Sequence, residues 1–151
     1  MKYTFKKLTT EDLVLAKDLF LFFQLDDGIA EPSQSEDAYL KNLLAKNSFH
    51  VLVALHENKV VGGLTAYELS MYKEEKREMF LYEIGVDPHH RNIGIAGKLI
   101  SQLKAICTRK GISEMYVAAK ALDGPAVQLY ESTGGKKEDV AWFVYDLKTE
   151  S

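Results

Sequence analysis

The chain has 151 residues, 46% of them apolar, and a formal net charge of −3, which suits one domain with a real core and gives no basic footprint for nucleic acid. No apolar run approaches the roughly 20 residues that a membrane span needs, and the start at Met1-Lys2-Tyr3 lacks the hydrophobic segment of a signal peptide. One cysteine, Cys107, excludes an intrachain disulfide framework, so a single domain over residues 1–151 is expected, cytoplasmic, with no membrane and no nucleic-acid partner.

Tyr3 and Phe5 alternate with polar residues as in a strand, and Thr9-Thr10-Glu11-Asp12 offers a capping-box-like start for an apolar helical run over residues 13–23. Ser33-Gln34-Ser35-Glu36 has the same S-x-x-E spacing and predicts a second helix to about Ala45. Residues 49–56 and 59–71, parted by Glu57-Asn58, read as an antiparallel hairpin. Residues 79–87 are rich in β-branched and aromatic types and stop at Pro88, which cannot donate to a ladder. Leu99, Ile100, Leu103, Ile106 and Cys107 recur at helical spacing, and that helix ends at Lys110-Gly111. Cys107 falls on its apolar face as a small hydrophobe. A strand over 114–120, a helix over 125–133 and a closing strand over 140–147 complete the order, with Gly134-Gly135 as the last break. The result is an α/β (α+β) chain with a mixed central sheet of six to seven strands and helices on both faces.

Between the strand ending at Pro88 and the helix after it lies Arg91-Asn92-Ile93-Gly94-Ile95-Ala96. The first amides of a helix have no intrahelical acceptors and face the positive end of its dipole, so phosphate oxygens are natural partners there. Gly94 and Ala96 keep the approach open, and Arg91 can add charge-assisted hydrogen bonds. The plain alternative is a turn before a helix. Neither G-x-G-x-x-G nor G-x-x-x-x-G-K-[ST] is present, which disfavours a Rossmann fingerprint and a P-loop.

The stretch resembles R/Q-x-x-G-x-G/A, the acyl-coenzyme-A pyrophosphate loop of the GCN5-related N-acetyltransferase (GNAT) superfamily, with Arg91, Gly94 and Ala96 at its defining positions. Downstream, Asp123, Ala126, Tyr130 and Gly134 approximate a second motif, N-x-x-A-x-x-x-Y-x-x-x-G-F, departing from it at Asp123 and Gly135. Longer blocks, including residues 39–44, 60–67, 81–86 and 125–130, look like the small aminoglycoside 3-N-acetyltransferases. Ile93 and Glu83 depart from those enzymes, which usually carry a polar residue and an aspartate there. The resemblance implies the GNAT fold, with splayed strands four and five, and acetyl-CoA as donor. It places the cofactor on Ile84, Gly85, Val86, Arg91, Asn92, Ile93, Gly94, Ile95, Ala96, Gly97, Asp123, Ala126 and Tyr130, with His89 and His90 flanking the loop. A homodimer is also expected, since superfamily members often dimerise.

Acetyl transfer to an amine needs a group to take the ammonium proton and one to protonate the departing thiolate. Glu83, on the proposed fourth strand, is the candidate base; its alternative is a solvent-facing strand residue, and simple alternation sends Tyr82 and Ile84 to the opposite face. Tyr130 falls at the superfamily position of the proton donor; its alternative is a ring packed on the helix's core face. Residues 18–40 contain six acids and no Lys or Arg. In the superfamily this region borders the acceptor, so Asp26, Asp27 and Glu31, with Tyr67, Tyr82, Glu83 and Asp146, are expected to bind a cationic small-molecule amine. Ordinary surface solvation is the alternative for each acid. His50, His56, His89 and His90 form no ligand motif, so no metal is expected. The expected reaction is direct transfer of acetyl to an aminoglycoside 3-N amine. Protein N-termini, lysines or polyamines are alternative acceptors, and a non-catalytic acyl-CoA sensor is the alternative outside enzymes.

Overall fold

A computed structural model describes residues 2–148. Five strands, β1 (Thr4–Lys7), β2 (Phe49–His56), β3 (Lys59–Ser70), β4 (Arg77–Val86) and β5 (Met115–Tyr116), form one sheet in the order β1-β2-β3-β4-β5. The first three pairings are antiparallel and β4 with β5 is parallel. The helices are α1 (Leu13–Asp26), α2 (Asp37–Leu44), α3 (Ile95–Arg109) and α4 (Gly124–Ser132).

The two sheet faces carry separate cores, because strand side chains alternate between faces. Ala16, Leu19 and Phe23 of α1 and Leu44 of α2 bury against Phe49, Val51 and Val53 of β2. On the other face Leu99, Ile100, Leu103, Ile106 and Cys107 of α3 bury against Leu52, Leu64, Met79 and Leu81. The i, i+3, i+4, i+7 spacing of those α3 residues is what the sequence predicts for a helix with one buried stripe.

Helix starts differ from the capping boxes expected. The Asp12 carboxylate makes no cap to α1; it accepts from the amide and hydroxyl of Thr9 and from Lys6 Nζ, closing the preceding turn. α2 begins at Asp37 with Glu36 as its cap residue, and Ser33 instead exchanges two hydrogen bonds with Gln24.

The sheet has five strands among the described residues, where six to seven are expected. The strand expected over 114–120 shortens to Met115–Tyr116, paired only through Met79↔Met115 and Phe80↔Tyr116. Beyond that point β4 and β5 diverge, so residues 117–120 have no ladder to join. The strand expected over 140–147 is absent, because its side chains reach no neighbouring edge: Trp142, Phe143 and Tyr145 are 69%, 80% and 83% exposed.

Glu68 anchors the far end of the sheet from inside it. Its buried carboxylate accepts from His50 Nε2, Arg77 Nη1 and Lys110 Nζ, while Arg77 Nη2 also donates to the Lys110 carbonyl at the end of α3. Three strands and one helix end therefore share a single charge.

Candidate active site

A β-bulge positions the central carboxylate. On β3, Thr65 and Ala66 are consecutive, but their partners on β4 are Glu83 and Leu81, so Tyr82 is an extra residue opposite none. A bulge of this kind changes the facing of everything after it. Leu81 points into the α3 core, whereas Tyr82 and Glu83 both turn to the α1 side, where the Tyr82 ring meets Tyr67 edge-on at 5.7 Å. Simple alternation puts Tyr82 and Glu83 on opposite faces; the bulge overturns that expectation, and no residue type in the stretch announces it.

Glu83 opens into a cavity of about 250 Å³ between α1, α2 and the sheet, which Asp27, Tyr39, Thr65 and Tyr67 also line. Burial, then the nearby Asp27 charge, hold its carboxyl above the ordinary range. A carboxylate so placed is a better proton acceptor near neutral pH than an exposed one. Burial also raises the Tyr67 phenol, with Tyr82 and Glu83 adding to the effect. The Thr65 hydroxyl is buried without a hydrogen-bond partner in the protein, which leaves it free to bond whatever occupies the cavity.

At the other end of β4, Asp87 accepts from the His89 amide and caps a short 3₁₀ turn over Pro88–His90. The chain then enters the loop with Asn92 at φ 64° and Gly94 at φ 90°, and α3 starts at Ile95. The left-handed angle at Gly94 suits glycine. A side chain there would meet nothing within 4 Å, and one at Gly97 would meet only the Thr133 methyl at 3.9 Å. The fold itself does not need the space above these two glycines. It borders the first amides of α3, those of Ile95, Ala96 and Gly97, which have no intrahelical acceptor. The residues present thus fit a pyrophosphate cradled at the head of α3.

Residues 16–135 match the sequence profile of the Acetyltransferase (GNAT) family. The chain belongs to that family. GNAT acetyltransferases take acetyl-CoA as donor, and the β4–β5 divergence is the feature expected of their fold. This acetyltransferase superimposes with a TM-score of 0.92 on an aminoglycoside acetyltransferase, meta-AAC0020, from an uncultured soil metagenomic sample in complex with trehalose, at 36% identity over 97% of both chains. A structure of the same enzyme in complex with sisomicin matches equally well, with 35% identity over the same share of each chain. An uncharacterized N-acetyltransferase, YhfO, of Bacillus subtilis is 25% identical over 94% of this chain and 95% of its own. Human N-acetyltransferase 8 is 29% identical over 68% of this chain, which spans less than half, 45%, of that protein.

Several expected contacts are redirected in the acetyltransferase. Arg91 Nε donates to the Val86 carbonyl at 2.7 Å and Nη2 reaches Asp26 at 3.4 Å. Asp26 therefore faces the loop before α3, not the cavity that Glu83 lines, because it ends α1 beside the end of β4. Asp27, one residue on, lines the cavity. Glu31 is exposed and outside the cavity lining, and Asp146 lies in the extended segment, away from both cavities. His90 turns from the loop to bond the Tyr3 hydroxyl at 2.8 Å and sits against His56. The Asp123 side chain accepts from the Ala126 amide as the cap of α4, which occupies the carboxylate where the family motif has an amide. Ile93 is exposed in the loop, and Ile84 and Val86 pack toward α3.

Tyr130 of α4 packs against the α3 core and lines a groove of about 370 Å³ with Leu81, Ile100, Cys107, Met115 and Tyr116. Burial, then the Asp123 charge, hold its phenol above the ordinary value, so it stays protonated. Glu83 and Tyr130 do not share one cavity. Leu81 borders the groove and Glu83 the cavity between α1, α2 and the sheet, so the stretch of β4 that β5 leaves unpaired lies between them. Gln24, Tyr39 and Thr65 also line the cavity; of the three only Gln24, a polar residue within the apolar stretch of α1, carries a signal in the sequence.

Proposed function

We propose that this acetyltransferase moves the acetyl group of acetyl-CoA directly to a primary amine of a polycationic small molecule, an aminoglycoside at its 3-N position. The observation that carries the proposal is the bulged strand that turns Glu83 into a cavity shared with Asp27 and Tyr67. Two carboxylates in a confined cavity favour a cation and disfavour an anion or a neutral apolar guest. The likeness to an enzyme solved with sisomicin, over nearly the whole of both chains, supports the same acceptor class.

Acetyl-CoA, when bound, supplies an activated thioester. The chain's own residues do the rest. The amides of Ile95, Ala96 and Gly97 and the guanidinium of Arg91 hold the pyrophosphate, with Asn92, Ile93 and Gly94 shaping the loop and Ala126 standing one turn before Tyr130 on α4. Ile84, Gly85 and Val86 lie on the stretch of β4 that β5 leaves unpaired, where amide-like partners can lie alongside, the Val86 carbonyl being already held by Arg91 Nε. Glu83 takes the ammonium proton, directly or through one water, so that a neutral amine attacks. Tyr130 gives its proton to the sulfur as the bond to it breaks. Asp27 and Tyr67 hold the remaining positive groups of the acceptor, Tyr82 backs the Tyr67 ring edge-on, and Glu31, outside the lining, adds only to the long-range field. A pool of acetyl-CoA is needed, which suits a cytoplasmic setting.

Thiol release from acetyl-CoA, measured with sisomicin, a linear polyamine and a lysine-containing peptide in parallel, tests the reading. Turnover with sisomicin, followed by assignment of the acetylated nitrogen by NMR, is the expected result. Turnover with the polyamine or peptide alone replaces the acceptor class, and donor binding without turnover on any amine replaces the enzyme by a sensor.

A further inference from the structure

Asp12, His50, Thr65 and Glu68 are the buried polar residues among those described. Asp12, His50 and Glu68 are held by ion pairs, whereas the Thr65 side chain, 3% exposed, makes no hydrogen bond within the protein. A buried hydroxyl without a partner destabilises a fold, and a valine of the same shape would sit there without that cost. Packing therefore does not account for the hydroxyl, and it lines the cavity that Glu83 enters.

The register sets these two groups side by side. Thr65 pairs with Val51 on one flank of β3 and with Glu83 on the other, next to the bulge that turns Glu83 to this face. Directly opposed residues of an antiparallel pair have Cβ atoms about 4.5–5.5 Å apart, yet the hydroxyl and the carboxylate do not bond each other. Two polar groups that are cross-strand neighbours but farther apart than one hydrogen bond suit a single bridging water, at roughly 2.8 Å from each. Phe20, Phe23, Leu40, Leu43 and Phe49 make up the apolar part of the lining. Thr65, Glu83 and the acceptor's ammonium would give a water at this point three polar partners, within the two to four that hold one in place.

We propose that Thr65 is a positioning residue for proton transfer: its hydroxyl donates to a water that in turn donates to the Glu83 carboxylate, so that the ammonium proton reaches Glu83 through this water and not by direct contact. The ammonium donates to the water's remaining lone pair. As transfer proceeds, an N–H bond breaks with its electron pair staying on nitrogen, and an O–H bond forms on the water. The water's bond to the hydrogen facing Glu83 breaks in turn, and the carboxyl O–H forms, leaving a neutral amine, a neutral water and a protonated Glu83. Thr65 exchanges no proton; it fixes where the water's oxygen stands. The inference rests on the acetyl-transfer reading and names the route of its first proton.

Thr65→Val keeps the methyl and the shape and removes the hydroxyl, while Thr65→Ser keeps the hydroxyl and removes the methyl. A crystal structure of the parent protein is expected to show a water within hydrogen-bonding distance of Thr65 Oγ1 and of a Glu83 carboxylate oxygen, and that of Thr65→Val to lack it. In thiol release with sisomicin, Thr65→Val is expected to lower kcat by about 10–10²-fold with little change in KM for either substrate and no fall in melting temperature, and Thr65→Ser to recover most of the parent's kcat. A residue kept for packing reverses that order, with serine slower than valine, and such a result overturns the proposal. So does a parent crystal without the bridging water, or a Thr65→Val enzyme with the parent's kcat and a raised sisomicin KM, which makes the hydroxyl a contact to the acceptor. A parent that releases no thiol with any amine removes the acetyl-transfer reading itself, and the relay with it, so the two failures are told apart.

Discussion

Glu83→Gln tests the proposed chemistry most directly. The amide matches the carboxylate in size, so the cavity with Asp27, Thr65 and Tyr67 keeps its shape and only the proton acceptor is lost. General-base contributions run at about 10²–10⁴-fold, or roughly 2.7–5.5 kcal/mol of barrier, and the half-buried position of Glu83 makes water a poor substitute. The assay is kcat/KM for thiol release with sisomicin from pH 4 upward. In the parent enzyme, burial and then the Asp27 charge raise the Glu83 carboxyl, so the acid limb is expected above the ordinary carboxylate range, with activity rising as Glu83 loses its proton. The acceptor ammonium titrates identically in both proteins, so the difference between profiles isolates Glu83. The variant is expected to be slower by at least about 10² and to lack that limb. Asp27→Asn removes the repulsion and is expected to move the limb of the otherwise intact enzyme to lower pH. A Glu83→Gln enzyme within about threefold of the parent with the limb intact, or an Asp27→Asn limb moved upward, refutes the assignment.

Tyr130→Phe keeps the ring in the α3 core and removes only the hydroxyl, so kcat is expected to fall about 10²-fold with KM for the donor little changed; a rise in donor KM alone would make Tyr130 a packing residue. Gly94→Ala forces a side chain into φ 90° and is expected to cost about 1–3 kcal/mol in thermal unfolding, with weaker coenzyme A binding by calorimetry. Glu68→Ala strands His50, Arg77 and Lys110 and is expected to cost about 3–5 kcal/mol by urea titration. Burial raises the Glu68 pKa, but its bonds to Lys110 and His50 outweigh that and lower it; its stabilisation is therefore full above the ordinary carboxylate range and lost as pH falls through the lowered value, and the variant's deficit should shrink in acid. Asp26→Asn releases Arg91 from a half-exposed ion pair, worth no more than about 1 kcal/mol, and is expected to tighten coenzyme A binding by up to about fivefold.

What the sequence made legible was whatever depends on local pattern. The apolar stripe of α3 and the Gly94 turn before it are set by residues close together in the chain, and both stand where periodicity and glycine chemistry put them. The hairpin over β2 and β3 is likewise local, turning through Glu57 and Asn58 at φ 51° and 65°. Register was not legible. The bulge at Tyr82 arises from how β4 lies along β3, and the same ten residues would read identically without it. The separation of Asp26 from Asp27 has the same origin: two adjacent acids look alike in sequence, yet the end of α1 turns one toward Arg91 and the other toward Glu83. Residues 140–147 have the composition of a strand, yet their side chains stand exposed, because composition does not supply the edge a strand must pair with.

Arg91 joins the two halves of the site through one guanidinium. Its Nε bond to the Val86 carbonyl fixes it at the end of β4, while Nη2 reaches across to Asp26 at the end of α1. α1 is also the helix that carries Asp27 into the acceptor cavity. A pyrophosphate at the head of α3 offers Arg91 stronger, charge-assisted partners than an exposed carboxylate does. Donor binding would then free Asp26 without disturbing the Val86 anchor, and the freed carboxylate stays at the end of α1 beside the loop, outside the cavity that Asp27 and Glu83 line. Asp26 and a bound pyrophosphate thus compete for the same guanidinium, which is why the Asp26→Asn variant is expected to hold coenzyme A more tightly.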